Sequence, residues 1–223
     1  MISVCINSRE VQGQPGTTIL ELAQKNGIYI PTLCYHSELA PIGACRVCVV
    51  KVQGSRTLVA SCHTPISPGM VIETNSPEVL AARKVIVELL LASHPEACLV
   101  CDKANMCDLR KVATELNIGL PRFRTRRHYH AFEDANPYVV RDLTKCILCR
   151  RCVSACREIK KQDVFAIAYR SFDSKVVVDQ DQPLEKEVCR SCDVCISVCP
   201  VGALSKRERE PIPKKGAVTV IRG

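Results

Sequence analysis

Cysteine content constrains this chain more than any other feature, since sixteen of its 223 residues are cysteines. Cysteines at such density act either as disulfide staples or as metal ligands, and the redox compartment decides between them. Residues 1–8 contain no basic start, no apolar run of signal length and no small-residue cleavage site. We therefore expect a cytoplasmic chain whose thiols stay reduced and bind metal.

Eight cysteines form an internal repeat in the last third of the chain. Both copies have the spacing C-x2-C-x2-C-x3-C, and Pro200 follows the second copy, whereas Arg157 follows the first. Bacterial ferredoxins with two four-iron clusters have this spacing, and the fourth cysteine of each run binds the other cluster. Zinc, the alternative, uses separated C-x2-C pairs and suits these runs poorly. The predicted ligand sets are Cys146, Cys149, Cys152 and Cys199 for one [4Fe–4S] cluster, and Cys189, Cys192, Cys195 and Cys156 for the other.

A second constellation, C-x10-C-x2-C-x13-C, lies near the N-terminus. Gly43 and Ala44 precede its central pair, and such small residues let backbone N–H groups approach cluster sulfurs. The spacing differs from the plant-type C-x4-C-x2-C pattern, and taken alone it leaves a zinc site open. Beside a ferredoxin repeat, it predicts one [2Fe–2S] cluster bound by Cys34, Cys45, Cys48 and Cys62.

A third constellation, H-x3-C-x2-C-x5-C, lies between the other two. It predicts a third [4Fe–4S] cluster, in which a neutral imidazole replaces one thiolate and raises the reduction potential. The alternative is that its histidine only ends the preceding helix. The predicted ligands are His94, Cys98, Cys101 and Cys107.

These sets use every cysteine except Cys5, which we expect to be a small buried residue of the first strand. His36 and His63 adjoin predicted ligands, and we interpret both as neighbouring or surface residues. His128 and His130 fit no ligand spacing.

The first 75 residues predict an α/β unit. Strands are expected at 2–6, near Val11, and at 47–52, 58–60 and 70–73, with a helix from Thr17 or Thr18 to Asn26 and Gly27. Two strands, a helix and further strands is the order of a β-grasp fold. Ser76 as cap and Pro77 in the first turn predict a helix over 76–93. Its expected packing face contains Leu80, Val85, Ile86, Leu89 and Leu90.

The overall expectation is an α+β chain of three modules. They are a β-grasp [2Fe–2S] ferredoxin-like domain (1–75), a small helical module with one histidine and three cysteine ligands (76–125), and a bacterial-type 2[4Fe–4S] ferredoxin module with a C-terminal tail (126–223). A short helix is expected over 108–116, ended by Gly119 and Pro121. The tail ends in a strand-like run at 218–221.

The formal charge of +8 does not indicate a nucleic-acid binder. Four oxidised clusters with these ligands would contribute roughly −7, so the loaded protein is near neutral. Aromatic residues make up only 4% of the chain, too few to indicate a set of stacking residues, and zinc-finger spacing is absent. The basic run at 122–130 is interpreted as a linker or a partner-facing surface. The sequence contains no stretch of 18 uninterrupted apolar residues, so direct membrane insertion is not expected.

The three constellations, in this order, resemble the N-terminal part of the large iron–sulfur subunit of complex I and the N-terminal half of iron-only hydrogenases. The resemblance covers about residues 1–205, and in size the chain is similar to the small diaphorase subunit of NAD-linked hydrogenases and of bifurcating complexes. Asp193 and Val201 stand where that family commonly has Gly and Thr, and neither departure removes a ligand. The resemblance lies in residues 29–34 (YIPTLC), 43–48 (GACRVC), 94–95 (HP) and 199–204 (CPVGAL).

The resemblance implies a non-catalytic electron-transfer subunit. NAD(P)H would reduce FMN or FAD on a partner subunit, and single electrons would pass through this chain to a catalytic or electron-accepting subunit. The sequence contains no G-x-G-x-x-G or P-loop, so no nucleotide site is expected here. A free-standing soluble multicluster carrier is the alternative, and a catalytic subunit in its own right is a less favoured one. The terminal acceptor and the direction of electron flow stay open.

Overall fold

The computed structural model describes residues 1–124 and 129–207. The chain opens with a two-residue hairpin between β1 (Ile2–Ile6) and β2 (Arg9–Gly13). Its turn residues, Asn7 and Ser8, have φ of 49° and 65°. Positive φ at both turn positions matches the right-handed twist of the strands. The predicted first strand and its turn are confirmed.

Helix α1 (Ile19–Lys25) starts with a capping box. The Thr18 side chain accepts from the Glu21 N–H, and the Glu21 carboxylate accepts from the Thr18 N–H at 2.9 Å. The helix ends at Asn26, followed by Gly27 with φ of 70°. Both ends of this helix agree with the sequence prediction.

The remaining strands of this unit are β3 (Val49–Val52), β4 (Val59–Ala60) and β5 (Val71–Glu73). The sheet order is β2-β1-β5-β3-β4, in which β5 pairs parallel to β1 and the other pairs are antiparallel. One apolar cluster, including Ile6, Leu20, Leu22 and Ile72, fills the space between the sheet and α1.

Helix α2 (Pro77–Ser93) has the predicted bounds but a different buried face. Leu80, Val85 and Leu89 are exposed, so their predicted packing role is wrong, whereas Ile86 and Leu90 do contact the core. The buried positions are Val79, Arg83, Val87, Glu88 and Ala92. Ser76 occupies the cap position, yet its buried Oγ makes no hydrogen bond.

Helix α3 (Asp108–Glu115) follows two 3-10 turns, Cys98–Val100 and Ala104–Met106. It stops earlier than predicted, because Leu116 caps it and Asn117 adopts φ of 50°. A left-handed residue after the cap ends a helix without requiring Gly119 or Pro121.

The C-terminal region is framed by an antiparallel pair, β6 (Val139–Arg141) with β9 (Leu204–Lys206). Between them lie α4 (Arg151–Glu158) and α5 (Val194–Ser197), each beginning within one of the cysteine runs. A second pair joins β7 (Ala166–Ala168) and β8 (Lys175–Val177). The remaining regular segments are 3-10 turns at Leu143–Lys145, Ser171–Asp173, Asp179–Asp181 and Glu187–Cys189.

The larger apolar cluster draws on all three predicted modules. It includes Leu33 and Val47 from the first, Val87 and Leu109 from the second, and Phe165 from the third. All three modules therefore contribute to one core, and the module limits stay a prediction. Within the described residues, no helix has the length and apolar character needed to cross a membrane. The run at 218–221 and residues 125–128 of the basic segment lie outside those residues.

Candidate metal centres

The first predicted set surrounds a loop whose backbone is turned by two residues of positive φ, Gly43 at 69° and Arg46 at 59°. Cys34, Cys48 and Cys62 are buried, and Cys45 is half-buried. The backbone N–H of Cys45 lies 3.5 Å from Sγ of Cys34, a length within reach of an N–H to sulfur hydrogen bond. The loop thus points a backbone donor at a sulfur, as a thiolate ligand requires.

The four thiols of this set associate in two pairs. A hydrogen bond with Cys45 lowers the pKa of Cys34, and a hydrogen bond with Cys62 lowers the pKa of Cys48. The same two bonds raise the pKa of Cys45 and of Cys62. Two thiols for each of two irons is the ligand count of a [2Fe–2S] site with four cysteines. The donor set therefore fits the predicted group.

The central predicted set lines one pocket. His94 is the C-cap of α2, Cys98 begins the first 3-10 turn, Cys101 directly follows that turn, and Cys107 is the N-cap of α3. All four border the same pocket, with Lys145 and Gly202 among its other lining residues. The structure therefore brings the whole predicted set together, although the ligand roles themselves stay a prediction.

The His94 ring is held in a form suited to a ligand. Its Nδ1 lies 3.1 Å from the Pro95 carbonyl oxygen, and its Nε2 is buried without a hydrogen-bond partner. Burial lowers the pKa of His94, so the neutral ring is favoured. A ring that donates from Nδ1 presents a lone pair at Nε2, the arrangement of metal-binding histidines. His94 ends the helix, as the alternative interpretation required, and also lines the pocket of the three thiols.

The first ferredoxin-type set also lines one pocket, formed by Cys146, Cys149, Cys152 and Cys199 with apolar neighbours. Burial raises the pKa of Cys146 to about 11 and of Cys149 to about 12, and the Cys199 charge adds to both shifts. Leu148 and Arg150 adopt φ of 54° and 64° in the loop between these ligands. The Leu148 N–H lies 3.4 Å from Sγ of Cys146.

The second ferredoxin-type set is close enough for its members to interact electrostatically. Burial raises the pKa of Cys189 to about 11 and of Cys195 to about 12, and the charges of Cys156 and Cys192 add to both shifts. Cys156, the fourth cysteine of the first run, thus lies with the second run. Cys199 lies with the first run in the same crossed manner.

Across residues 1–124 and 129–207, no three His, Cys, Asp or Glu side chains have the geometry to hold a single metal ion. Cys5 lies on β1 as predicted but is only half-buried, so the expectation of a buried residue is wrong. His36 is half-buried, and His63 is exposed beside Cys62.

Sequence reasoning missed three buried arginines beside these sets. Arg83 is 1% exposed, Arg141 is 2% exposed and Arg151 is 7% exposed. Burial raises the pKa of Cys146 and of Cys149, and the charges of Arg141 and Arg151, respectively, act against that rise. The Cys45 hydrogen bond is the main cause of the lowered pKa of Cys34, and the Arg151 charge adds to it. Arg83 lies four residues from both Val79 and Val87 on one helix face, but the apolar residues Leu80, Val85 and Leu89 on another face made this signal ambiguous.

Comparison with known proteins identifies three iron–sulfur regions. Residues 1–77 match the 2Fe-2S iron–sulfur cluster binding domain, and residues 83–122 match the NADH-ubiquinone oxidoreductase-G iron–sulfur binding region. Residues 136–205 match the ferredoxin-like domain of NADH-quinone oxidoreductase subunit 3.

Curated relatives contain the same stretch within longer chains. The NADP-reducing hydrogenase subunit HndD of Solidesulfovibrio fructosivorans is 38% identical over 213 residues, which cover 93% of this chain and 36% of that protein. A subunit of the NADH-quinone oxidoreductase of Rhizobium meliloti (strain 1021) is 34% identical over 92% of this chain and 24% of its own length. The chain therefore spans about a third or less of these two relatives.

A solved structure matches nearly the whole chain. A chain from the crystal structure of an NAD+-reducing [NiFe]-hydrogenase in the H2-reduced state has a TM-score of 0.83 and 26% identity, covering 99% of this chain and 90% of that chain. The chain thus contains three iron–sulfur domains of kinds also found in an NADP-reducing hydrogenase subunit and in NADH-quinone oxidoreductase, and its fold matches a chain of an NAD+-reducing [NiFe]-hydrogenase.

Proposed function

We propose that the chain is an electron-transfer subunit holding one [2Fe–2S] and three [4Fe–4S] clusters. When bound, these groups accept and donate single electrons between a flavin-containing, NAD(P)H-oxidising subunit and a catalytic or second electron-accepting subunit. In this proposal the N-terminal unit is a β-grasp domain over 1–75, followed by the module containing His94 over 76–125 and the ferredoxin module over 126–223. Reduced thiols and cluster assembly suit the cytoplasm.

The observation that carries the proposal is the physical linkage between neighbouring ligand sets. The Asp108 N–H donates to the Pro200 carbonyl at 2.9 Å, and these residues directly follow the predicted ligands Cys107 and Cys199. Arg151 donates to the carbonyl of Tyr35, the residue after Cys34, and to the carbonyl of Val198, the residue before Cys199. The set containing Cys199 is therefore joined to the two-iron set and to the His94 set.

The two ferredoxin-type sets are joined by helix α4, which carries Cys152 for one set and Cys156 for the other. The Cys195 charge also raises the pKa of Cys152, although burial is the main cause of that shift. Four sets held in one fold by such short links suit stepwise passage of electrons. A set of unconnected structural metal sites would not require this proximity.

Partner binding is supported by apolar residues exposed around the His94 set. Leu99 and Val100 lie between two predicted ligands and are exposed, and Met106, beside Cys107, is exposed as well. Apolar side chains on the loops that carry proposed ligands can be covered by another subunit. This arrangement favours a subunit over a free-standing carrier.

Anaerobic native purification of the tagged chain tests the proposal. We expect a flavin-containing subunit and a catalytic subunit to co-purify in stoichiometric amounts, identified by mass spectrometry. Iron and sulfide analysis, with electron paramagnetic resonance of the reduced protein, is expected to show one two-iron and three four-iron signals. A chain that loads all four clusters but purifies alone would support the free-standing carrier instead. A chain that binds zinc and contains no acid-labile sulfide would refute both functions.

A further inference from the structure

Arg83 lies in the middle of α2 and is 1% exposed. Its Nη2 donates to the Val49 carbonyl at 2.8 Å, and its Nη1 donates to Oδ1 of Asn75 at 3.2 Å. Its Nε is buried and has no hydrogen-bond partner among the described residues. Both acceptors are neutral, so the hydrogen bonds position the guanidinium but leave its charge uncompensated.

An uncompensated cation at this depth is costly, because burial removes the hydration of the charge. Burial accordingly lowers the pKa of Arg83, while the charge of the Cys48 thiolate acts in the opposite direction. Among the described residues, no carboxylate is hydrogen-bonded to Arg83. The cysteine set is a source of negative charge beside this position, because Nη2 of Arg83 is hydrogen-bonded to the residue that follows Cys48.

The contact with Val49 locates the guanidinium relative to that set. Val49 directly follows Cys48 and begins β3, the strand on which α2 packs. The guanidinium is thus fixed to the backbone that holds one of the four predicted two-iron ligands. An oxidised [2Fe–2S] group with four thiolates would carry about −2, and reduction would add one further negative charge.

We propose that Arg83 is the buried counter-charge of the two-iron site and sets its reduction potential. The proposal rests on the proposed function, because it assumes that Cys34, Cys45, Cys48 and Cys62 bind the cluster. The hydrogen bonds of Arg83 go to Val49 and Asn75. Arg83 therefore acts on the thiolates through its charge and not as a ligand. A cation in a poorly solvated position favours the more negative, reduced state. Removing the charge is therefore expected to make the potential more negative.

The test is a redox titration of the loaded chain, following the two-iron signal by electron paramagnetic resonance. Arg83→Met and Arg83→Gln remove the charge, and the glutamine amide can still donate to the Val49 carbonyl. Arg83→Lys retains a positive charge. Arg56→Met removes an exposed arginine of the same unit and serves as the matched control.

We expect both neutral variants to weaken one-electron reduction of the two-iron site at least tenfold, which equals a shift of 59 mV to more negative potential. The lysine variant is expected to shift the two-iron potential by less than half as much as the neutral variants do. The two-iron potential of the control variant and the four-iron signals of all variants are expected to stay unchanged. If both neutral variants lose the two-iron signal while the lysine variant keeps it, the charge is required for loading, which also supports the proposal.

Two results would overturn the proposal. Neutral variants that retain the signal at the wild-type potential would show that the charge does not act on the site. Loss of the signal in the lysine variant as well would show that the guanidinium shape, and not its charge, is needed. If the wild-type chain itself showed no two-iron signal, the proposed function would be refuted together with the role of Arg83. That outcome differs from the two results above, in which the wild-type chain shows the signal.

Discussion

The guanidinium of Arg151 donates a 2.7 Å hydrogen bond from Nη2 to the backbone carbonyl of Tyr35, a residue 116 positions earlier in the chain. Its Nη1 donates to the Val198 carbonyl at 3.3 Å and contacts Oδ2 of Asp108 at 3.2 Å. One side chain thus connects the three regions that the family comparisons distinguish. Because its two carbonyl acceptors adjoin proposed ligands, Arg151 fixes the separation of the sites as well as the packing of the regions.

Replacing Arg151 with methionine is expected to loosen this junction. The change leaves the carbonyls of Tyr35 and Val198 without their donor, and we expect the free energy of unfolding to fall by about 2–3 kcal/mol. Denaturant unfolding of the loaded protein measures the effect. Arg157→Met is the matched control, since Arg157 lies on the same helix and pairs at the surface with Asp163. Equal unfolding midpoints for the two variants would contradict the junction role.

Gly202→Ala is expected to disturb the His94 site. A Cβ at Gly202 would lie 2.8 Å from Sγ of Cys101 and 3.3 Å from Cβ of Lys103, so the thiol must move. We expect loss or broadening of one four-iron signal, with the two-iron signal retained. Gly119→Ala is the control, because a Cβ there meets nothing within 4 Å. An unchanged spectrum and iron content for Gly202→Ala would show that Cys101 is not a ligand in this position.

Two substitutions test the proposed role of His94. His94→Ala removes the ligand and is expected to lower the iron content by about four atoms per chain. His94→Cys supplies a thiolate in place of the neutral ring, so we expect the cluster to be retained at a more negative potential. Iron analysis and a redox titration measure these effects. His63→Ala, at an exposed histidine beside Cys62, is expected to change neither quantity.

The crossed arrangement of the ferredoxin-type sites predicts which variants share a phenotype. Cys199→Ala should disturb the same four-iron signal as Cys149→Ala, and Cys156→Ala should disturb the same signal as Cys192→Ala. Paramagnetic resonance of the reduced variants gives the comparison, with Cys5→Ala as the control that keeps every signal. If Cys199→Ala instead shared its phenotype with Cys192→Ala, each run would bind its own cluster and the crossed assignment would be wrong.

Local signals in the sequence were sufficient for the helices and strands of the first 116 residues, whereas β6 to β9, α4 and α5 had no predicted bounds. Thr18 with Glu21 and Ser76 with Pro77 mark helix starts through bonds and φ preferences within one turn of the chain. The face that α2 buries could not be read in this way. Leu89 is exposed while Arg83 is buried, because the neighbouring elements decide which side of a helix is covered.

The candidate sites, too, could be predicted only in part from the sequence. Spacing predicted the four ligand sets, because most members of each set lie close together in the chain. The fourth member of each ferredoxin-type set, Cys199 or Cys156, comes from the other run and was assigned by the crossing rule of two-cluster ferredoxins. The structure brings their members together, and ligation itself stays a prediction. The buried arginines could not be found from spacing, since Arg83 and Arg151 reach their acceptors across 34 and 116 positions. Only the folded chain places them beside the thiols.

The pairing of β6 with β9 has a consequence for how such a region is shared among proteins. Val139 lies opposite Lys206 and Arg141 lies opposite Leu204, so the polypeptide leaves the ferredoxin-like region where it entered. A segment whose ends adjoin can be spliced into a longer gene product without rerouting the flanking polypeptide. The same building block can therefore recur in chains of very different length, each presenting it to different neighbours.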